Sequence, residues 1–179
     1  PETEIITSDV ASINVSYAAQ LADLLHFKTD YFVMADAERL PFRPDSFDFI
    51  LSSGMLHHLG DIRRGLRKGY QVLKHGGRWY VIGELAIGSL FRLLWNSRWG
   101  GKGRDARVRG VRENSYTWQE WKASFQAENL KIVDYYFHRD PKTAASWPFA
   151  AYYAIISRLP INLVKMGVPC NVNFVLEKV

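Results

Sequence analysis

Short apolar runs alternate along the chain with longer stretches whose apolar residues recur every three or four positions. The run at residues 5–6 ends at Ser8-Asp9, and the stretch 13–25 that follows has helical periodicity. This pattern predicts a strand and then a helix. Two further apolar runs, 31–34 and 47–51, predict strands that also end at small or acidic residues.

The second half of the chain continues the same alternation. The predicted elements are a helix over 62–73, a strand over 79–82, a helix that begins after 117, and strands over 130–137 and 172–176. Asp61 is predicted to cap the first of these helices, and Gly76-Gly77 supplies its stop. Thr117 and Glu120 have the spacing of a capping box, which predicts the start of the second helix.

Strands that alternate with helices predict a mostly parallel sheet, because parallel neighbours need crossover connections. The segment between the last two strands is only partly helical, so we expect an antiparallel strand at the edge of the sheet. With 47% hydrophobic residues among 179, the chain has enough apolar surface for one core. The prediction is an α/β protein whose residues 1–179 form a single domain.

Charge and cysteine usage exclude several classes of protein. The net charge of +5 is spread along the chain except for a basic run between 98 and 112, which is weak support for a nucleic-acid partner. Cys170 stands alone, so a disulfide framework and a cysteine zinc cluster are both excluded. We therefore expect a cytoplasmic location and no metal.

Two aspartates end predicted strands, where ligands bind in open α/β sheets. A carboxylate at Asp9 can accept hydrogen bonds from both hydroxyls of a ribose, and capping of the next helix is an equally weighted alternative. A carboxylate at Asp36 can accept from the exocyclic amine of an adenine. Its alternative role is that of an ordinary turn-forming aspartate.

Six motifs occur in a fixed order between residues 35 and 78. They are Ala35-Asp36, Pro41-Phe42, Asp45-Ser46-Phe47-Asp48-Phe49-Ile50, Ser52-Ser53, Leu56-His57-His58-Leu59 and Val72-Leu73-Lys74-His75-Gly76-Gly77-Arg78. In order and spacing they resemble the core of small-molecule class I S-adenosylmethionine-dependent methyltransferases. The resemblance implies a Rossmann-like fold and S-adenosylmethionine as cofactor.

The same resemblance implies which residues contact the cofactor. The six are Asp9 at the ribose hydroxyls, Val10 on one face of the adenine, Asp36 and Ala37 at the adenine edge, and Ser52 and Ser53 beside the methionine moiety.

One signature of the family is absent, the glycine-rich loop after the first strand of the sheet. The run Gly100-Gly101-Lys102-Gly103 follows no predicted strand and cannot replace it. In the family that strand is central, and its loop contacts the cofactor. We therefore expect an N-terminally incomplete domain, an open seam in the sheet, and poor cofactor binding by these 179 residues alone.

Methyl transfer is an in-line displacement that needs alignment more than covalent chemistry. His57 or His58 is a candidate general base for the methyl acceptor, and the alternative is that the pair packs and caps the following short helix. Glu84 ends the fourth predicted strand. It is predicted either to orient the acceptor or a histidine, or to be a solvated strand terminus.

Two segments, 85–115 and 140–170, are predicted insertions on the substrate side. The apolar stretch 85–99 fits a helix at a membrane interface, a lid, or ordinary packing against the sheet. The basic run 98–112 is predicted to bind phosphate or anionic lipid, or to be a solvated loop. Together they predict a small, hydrophobic or lipid-like acceptor and peripheral contact with a membrane.

Three other functions compete with this prediction. A nicotinamide-dependent oxidoreductase would explain Asp9, but not Asp36 together with the Leu56–Leu59 motif. A non-enzymatic scaffold that kept the fold and lost its loop would explain the missing glycines. A nucleic-acid methyltransferase is disfavoured because Ser52-Ser53-Gly54-Met55 lacks the motif used around an extruded base.

Overall fold

The chain folds into short parallel strands, a larger mixed sheet and flanking helices. The computed structural model describes residues 3–96, 114–143 and 146–179. The strands are β1 Ile6–Asp9, β2 Tyr31–Met34, β3 Phe47–Ser53, β4 Leu73–Ala86, β5 Leu130–Phe137 and β6 Cys170–Lys178. The helices are α1 Ser12–Leu24, α2 Ile62–Val72, α3 Ser89–Asn96, α4 Trp118–Ala127, α5 Trp147–Ile156 and α6 Ile161–Gly167. Short 3₁₀ turns cover Ala37–Arg39, Leu56–His58 and Pro141–Thr143.

The described strands form two sheets. In the first, β1 and β2 are parallel, and in the second the order is β3-β4-β6-β5. Strands β3 and β4 are parallel, whereas β6 is antiparallel to both β4 and β5. The α/β class with a mixed sheet is confirmed. The antiparallel strand, however, lies one position inside the edge, because β6 inserts between β4 and β5.

The two sheets are not paired with each other in the part of the chain that the structure describes. Within the described residues, β1 pairs only with β2, and β3 pairs only with β4. None of the residues of α1 is buried, although its apolar residues share a helical spacing. The expected break in the sheet is therefore present among the described strands. That the family's central strand would fill it, between β1 and β3, stays a prediction. Incompleteness of the chain itself stays a prediction.

Strand β4 is much longer than the predicted 79–82. It begins directly after α2, and its pairing with β3 shifts register between Phe47 and Phe49. The prediction that Gly76-Gly77 ends the helix is wrong, because the helix ends at Val72 with Leu73 already extended, and both glycines lie inside β4. Gly76 has a φ of 72°, a backbone conformation that residues with a side chain rarely adopt. The local pattern missed this extension because pairing with β3 and β6 supports it.

Both predicted helix caps are confirmed. The Oγ1 of Thr117 accepts a hydrogen bond from the Glu120 N–H at 3.2 Å, and a Glu120 carboxylate oxygen accepts from the Thr117 N–H at 2.8 Å. The Asp61 carboxylate accepts from the Arg64 N–H at 3.1 Å. Each cap satisfies backbone donors that the first helical turn leaves without partners.

The core of the larger sheet is aromatic and centres on Trp121. Its side chain is 0% exposed and lies 5.7 Å from the Phe125 ring and 6.0 Å from the Phe174 ring, measured between centroids. Its indole N–H donates to the Leu85 carbonyl at 3.1 Å. Helix α4 is therefore fixed to β4 and β6 by one residue that contributes both packing and a hydrogen bond.

We expect Trp121→Ala to lower the free energy of unfolding by about 3–5 kcal/mol, because it leaves a cavity and a carbonyl without its donor. Urea denaturation followed by circular dichroism measures the change. The control is Trp147→Ala, since Trp147 is 82% exposed and its loss should cost no more than about 0.5 kcal/mol. Equal effects of the two substitutions would contradict the proposed core.

Candidate functional site

The candidate residues lie at the carboxyl ends of β1, β2 and β3, in the turns that follow them, and near the end of β4. We call this set of residues the rim. It comprises residues 9–11, 36–39 and 53–58 together with Glu84. The carboxylate of Glu38, after β2, accepts hydrogen bonds from the N–H groups of Gly60 at 2.7 Å and Asp61 at 3.0 Å. These bonds join the turn after β2 to the segment after β3 across the break in the sheet.

Asp9 and Asp36 lie at the ends of adjacent parallel strands. Asp9 is paired with Met34, and its carbonyl accepts from the Ala35 N–H at 3.0 Å. The predicted placement of the two acids at the ends of adjacent parallel strands is confirmed. Because neighbouring strands are about 4.8 Å apart, we expect both carboxylates to reach one adenosine, and their contact with a cofactor stays a prediction.

Each of these carboxylates uses one oxygen to stabilise its own turn. Asp9 Oδ1 accepts from the Ala11 N–H at 2.8 Å and from the Asn14 amide at 3.2 Å. Asp36 Oδ1 accepts from the Glu38 N–H at 2.8 Å and caps the 3₁₀ turn. The turn-forming alternative is therefore correct for Asp36. Asp9 stabilises the turn before α1, but the predicted alternative that it is the N-cap of that helix is wrong, because the N-cap is Ala11 and has no side-chain cap. Each turn occupies one oxygen of its carboxylate. The Oδ2 atoms accept no hydrogen bond from the part of the chain that the structure describes.

The other predicted cofactor residues differ in exposure. Val10 is 69% exposed beside Asp9, and Ala37 is half-buried in the turn after Asp36. Ser53 is exposed, whereas Ser52 is buried and its hydroxyl accepts from the Trp79 indole N–H at 3.0 Å. Alternation along β3 puts the two serines on opposite faces, so a cofactor contact from Ser52 is left to its backbone.

Glu84 is the most deeply buried acid of the rim, with 0% of its side chain exposed. Its Oε1 accepts from the N–H groups of Met55 at 3.1 Å and Leu56 at 2.9 Å. Its Oε2 accepts from the His57 N–H at 3.2 Å and pairs with His57 Nδ1 at 2.7 Å. The prediction of a solvated strand terminus is wrong. The contact with His57 is the one that the alternative requires, whereas a role of Glu84 in orienting that histidine stays a prediction.

An irregularity in β4 turns Glu84 inward. Val81 and Glu84 are three residues apart, so regular alternation would put them on opposite faces, yet both are buried. The pairing of β4 with β6 shifts register between these two residues, and Gly83 has a φ of 71°. The Asn173 side chain accepts from the Gly83 N–H at 2.8 Å and stabilises this bend. A glycine inside a predicted strand is the signal that would have indicated the bulge.

The two histidines occupy the 3₁₀ turn after β3. Their ring centroids are 4.0 Å apart, and the rings are tilted by 46°. The His57 carbonyl accepts from the Asn114 N–H at 3.0 Å, and the Asn114 amide donates to the Leu59 carbonyl at 2.9 Å. The two rings pack against each other, as predicted, but they lie within the 3₁₀ turn and do not cap the helix that follows, whose N-cap is Asp61. A catalytic role for either histidine stays a prediction.

Helix α3 follows the carboxyl end of β4, and helices α5 and α6 follow that of β5. We call these three helices the apolar cover. Helices α3 and α6 meet at Gly88, where an added Cβ would lie 2.1 Å from Gly167 Cα. The inner side of the cover joins the core through Ile156 and Val164. Its exposed apolar side chains are Phe91, Leu93, Trp147, Phe149, Ile155, Leu163 and Met166. The basic run 98–112 lies outside the described residues.

No activated thiol is available in the described part of the chain. Burial raises the pKa of the Cys170 thiol to about 11, although Arg139 acts in the opposite direction. Cys170 is therefore protonated near neutral pH and is not a nucleophile. The described residues contain no group of three or more potential metal ligands and no helix that could cross a bilayer. A cytoplasmic location stays a prediction.

Comparison with known proteins relates residues 3–81, which include most of the rim, to a methyltransferase domain. The sequence model of the methyltransferase domain matches residues 3–81. The chain is 30% identical over 153 residues to the uncharacterized methyltransferase YcgJ of Bacillus subtilis, a match that covers 80% of this chain and 55% of that protein. It is 34% identical over 103 residues to 2-methyl-6-phytyl-1,4-hydroquinone methyltransferase 1 of Oryza sativa, covering 56% of this chain and 28% of that protein.

A solved structure shows the same fold. Geranyl diphosphate C-methyltransferase from Streptomyces coelicolor superimposes with a TM-score of 0.69 at 12% identity, covering 99% of this chain and 63% of that one. The chain thus spans about half or less of the length of the two curated relatives it matches here. All six predicted cofactor residues and both histidines lie inside the matched domain, whereas Glu84 and the apolar cover lie beyond residue 81.

Proposed function

We propose that the chain transfers a methyl group to a small hydrophobic acceptor. The premise is that it belongs to the class I S-adenosylmethionine-dependent methyltransferase family. The observation that carries the proposal is the pair of carboxylates at adjacent strand ends, Asp9 and Asp36, inside the matched domain. Each carboxylate has one oxygen that its own turn does not use. That oxygen can accept a hydrogen bond from a hydroxyl or amine of an adenosine.

The residues of the rim fit the cofactor as follows. Asp9 would accept from the ribose hydroxyls, Val10 would cover one face of the adenine, and Asp36 would accept from the adenine amine. When bound, S-adenosylmethionine supplies a methyl group already activated by its sulfonium. The chain therefore has to hold two ligands in line and exclude water between them.

We propose further that the cofactor binds only when a strand fills the gap between β1 and β3. The unpaired edges of these strands and the uncovered apolar residues of α1 support this proposal. An open edge leaves backbone donors and acceptors without partners, and Asp9 lies at the end of one such strand. A scaffold without cofactor binding is the competing interpretation, and closing the gap experimentally separates the two.

The first test adds a family-type first strand and glycine-rich loop ahead of residue 3 and measures S-adenosylmethionine binding by calorimetry. We expect affinity to rise by roughly 100-fold over the 179-residue chain, because the added loop supplies charge-assisted and backbone hydrogen bonds. The control carries the same strand with valines in place of the loop glycines. Equal, tight binding by the 179-residue chain alone would contradict the proposal.

The second test is Asp9→Asn in the protein that carries the added strand and glycine-rich loop. Asparagine keeps an oxygen for the Ala11 N–H but loses the charge and one acceptor, so we expect S-adenosylmethionine to bind roughly 10-fold to 100-fold more weakly. Asp48→Asn is the matched control, because Asp48 is exposed near the other end of β3 and pairs with Lys74. Equal losses from both substitutions would refute a ribose contact by Asp9.

Two observations support a hydrophobic or lipid-like acceptor. Helix α3 of the apolar cover follows β4, the strand that carries Glu84, and seven of the described large apolar residues of the cover are exposed. Proteins similar to this chain are named for a phytyl hydroquinone and for geranyl diphosphate, both of which carry isoprenoid chains. Lys142, Arg158 and Lys165 lie in the same part of the chain and would favour an anionic membrane surface.

The third test is flotation with vesicles that contain anionic phospholipid. We expect the protein to bind them, and the double substitution Trp147→Ser with Met166→Ser to weaken binding roughly 10-fold or more, since two large apolar side chains no longer leave water. Leu24→Ser is the control, because Leu24 is equally exposed on α1, away from the cover. Absence of partitioning, or an equal effect of the control, would count against membrane contact.

A further inference from the structure

Four polar side chains join the apolar cover to the sheet where β5 ends and β6 begins. They are His138 and Arg139 after β5, Tyr153 on α5 and Cys170 at the start of β6, and we call them the polar cluster. The His138 and Tyr153 rings meet edge to face with centroids 5.6 Å apart. The Cys170 thiol donates to the His138 carbonyl at 3.0 Å. These contacts bring residues of three elements into one arrangement.

Arg139 uses only part of its hydrogen-bonding capacity. Its Nη1 donates to the carbonyls of Ile156 at 3.2 Å and Leu159 at 2.9 Å, at the end of α5. A guanidinium has five N–H donors, and those on Nε and Nη2 meet no acceptor within residues 3–96, 114–143 and 146–179. The carboxylate of Asp140, the next residue, accepts instead from the Lys142 N–H at 2.9 Å. A half-buried cation with unused donors favours an anionic ligand.

The Tyr153 hydroxyl adds a neutral donor on the same side of α5. Tyr153 lies three residues before Ile156, whose carbonyl Arg139 holds, so the two positions share a helix face. The hydroxyl of the preceding Tyr152 donates to the Pro169 carbonyl, whereas that of Tyr153 makes no hydrogen bond to the described part of the chain. Burial, and to a smaller extent Cys170, raise the pKa of Tyr153, so it is protonated near neutral pH and able to donate.

Strand pairing gives the distance from the polar cluster to the rim. Glu84 of β4 is paired with Val172 of β6, which is paired in turn with Phe137 of β5. Two strand spacings therefore separate Glu84 from Phe137, which is about 10 Å. Strands β4 and β5 are both antiparallel to β6, so their carboxyl ends lie at the same edge of the sheet. A ligand held at the polar cluster can extend along this edge toward the rim.

We infer that the polar cluster binds a phosphate or diphosphate head group of the methyl acceptor, with Arg139 and Tyr153 as its donors. The inference rests on the proposed function and names the class of acceptor, an amphiphile with an apolar chain and an anionic head. Three unused donor groups, Nε and Nη2 of Arg139 and the Tyr153 hydroxyl, match the three terminal oxygens of a phosphate better than the two of a carboxylate. The exposed apolar side chains of the cover provide contacts for the chain of such an acceptor.

The first measurement is a calorimetric titration of the 179-residue chain with geranyl diphosphate, geraniol and inorganic diphosphate. We expect geranyl diphosphate to bind roughly 10-fold or more tightly than geraniol, because only the diphosphate pairs with Arg139. It should also bind roughly 10-fold or more tightly than inorganic diphosphate, which has no apolar chain to bury. Equal affinity of geranyl diphosphate and either of the other two compounds would overturn the inference.

The second measurement repeats the titration with Arg139→Gln. Glutamine keeps an amide donor for the carbonyls of α5 but loses the charge and the planar fork, so we expect geranyl diphosphate to bind roughly 10-fold or more weakly while geraniol binds as before. Arg78→Gln is the matched control, because Arg78 is exposed in the first half of β4, away from the rim. An equal loss from both substitutions would show a general charge effect and overturn the assignment of Arg139.

Tyr153→Phe tests the same site with a change that preserves the fold. It removes one hydroxyl and keeps the ring that packs against His138, so we expect geranyl diphosphate to bind roughly threefold to 10-fold more weakly. The control is Tyr136→Phe, since Tyr136 is 56% exposed on β5. Unchanged affinity in Tyr153→Phe would exclude the hydroxyl from the site, whatever the effect of Arg139→Gln on folding.

These titrations need no S-adenosylmethionine, so they separate the inference from the proposed function. Suppose that the protein with the added strand and glycine-rich loop methylates an acceptor equally well with and without Arg139→Gln. The inference then fails and the function stands. If geranyl diphosphate binds through Arg139 but the protein with the added strand neither binds the cofactor nor transfers a methyl group, the proposed function fails and the anion site stands.

Discussion

The architecture of the rim depends on one buried carboxylate. Glu84 is out of contact with water, and an ionised group there is tolerated only when donors surround it. The turn after β3 supplies these donors from three consecutive backbone N–H groups and one ring nitrogen. The Glu84 hydrogen bonds therefore hold the end of β4 against the turn after β3. If they broke, buried polar groups on both elements would be left without partners. The positions of His57, His58 and Ser53 all follow from it.

The two parts of the molecule differ in how they are stabilised. The sheet β3-β4-β6-β5 is covered by α4 and has a closely packed aromatic core around Trp121 and Phe174. The unit formed by β1, α1 and β2 contributes no residue to the set of buried hydrophobic residues described. It is linked to the rest by polar contacts, chiefly the Glu38 carboxylate and the Arg64 side chain, which donates to the Glu38 carbonyl at 3.2 Å. Polar contacts of this kind fix an orientation but add little hydrophobic stabilisation.

Local patterns predicted what local interactions decide, and missed what distant pairing decides. Strand β2 at 31–34 and the capping box at Thr117 are as predicted. Apolar spacing and helix caps depend on residues only a few positions apart, so the local sequence is enough to predict them. The length of β4 and the inward turn of Glu84 were not predicted, since they depend on β6 and on a turn 28 residues earlier. Alternation showed that Ser52 and Ser53 face opposite sides, but only the partner Trp79 decides which of them is buried. The placement of Asp9 and Asp36 was predictable because the ends of parallel strands meet at one edge.

The break in the sheet has a consequence for the proposed chemistry. Asp9 and Asp36 lie on the unit without a core of its own, whereas Glu84 and His57 lie on the unit with the aromatic core. A ligand that contacts Asp9, Asp36 and the turn that carries His57 must therefore bridge the break. Its affinity is reduced by the free energy needed to fix the two units relative to each other. A strand that pairs with both β1 and β3 would fix the two units before the ligand binds. The ligand would then bind without that loss of free energy. On the proposed function, closure of the sheet and binding of the cofactor are thus thermodynamically coupled, and each favours the other by the same free energy.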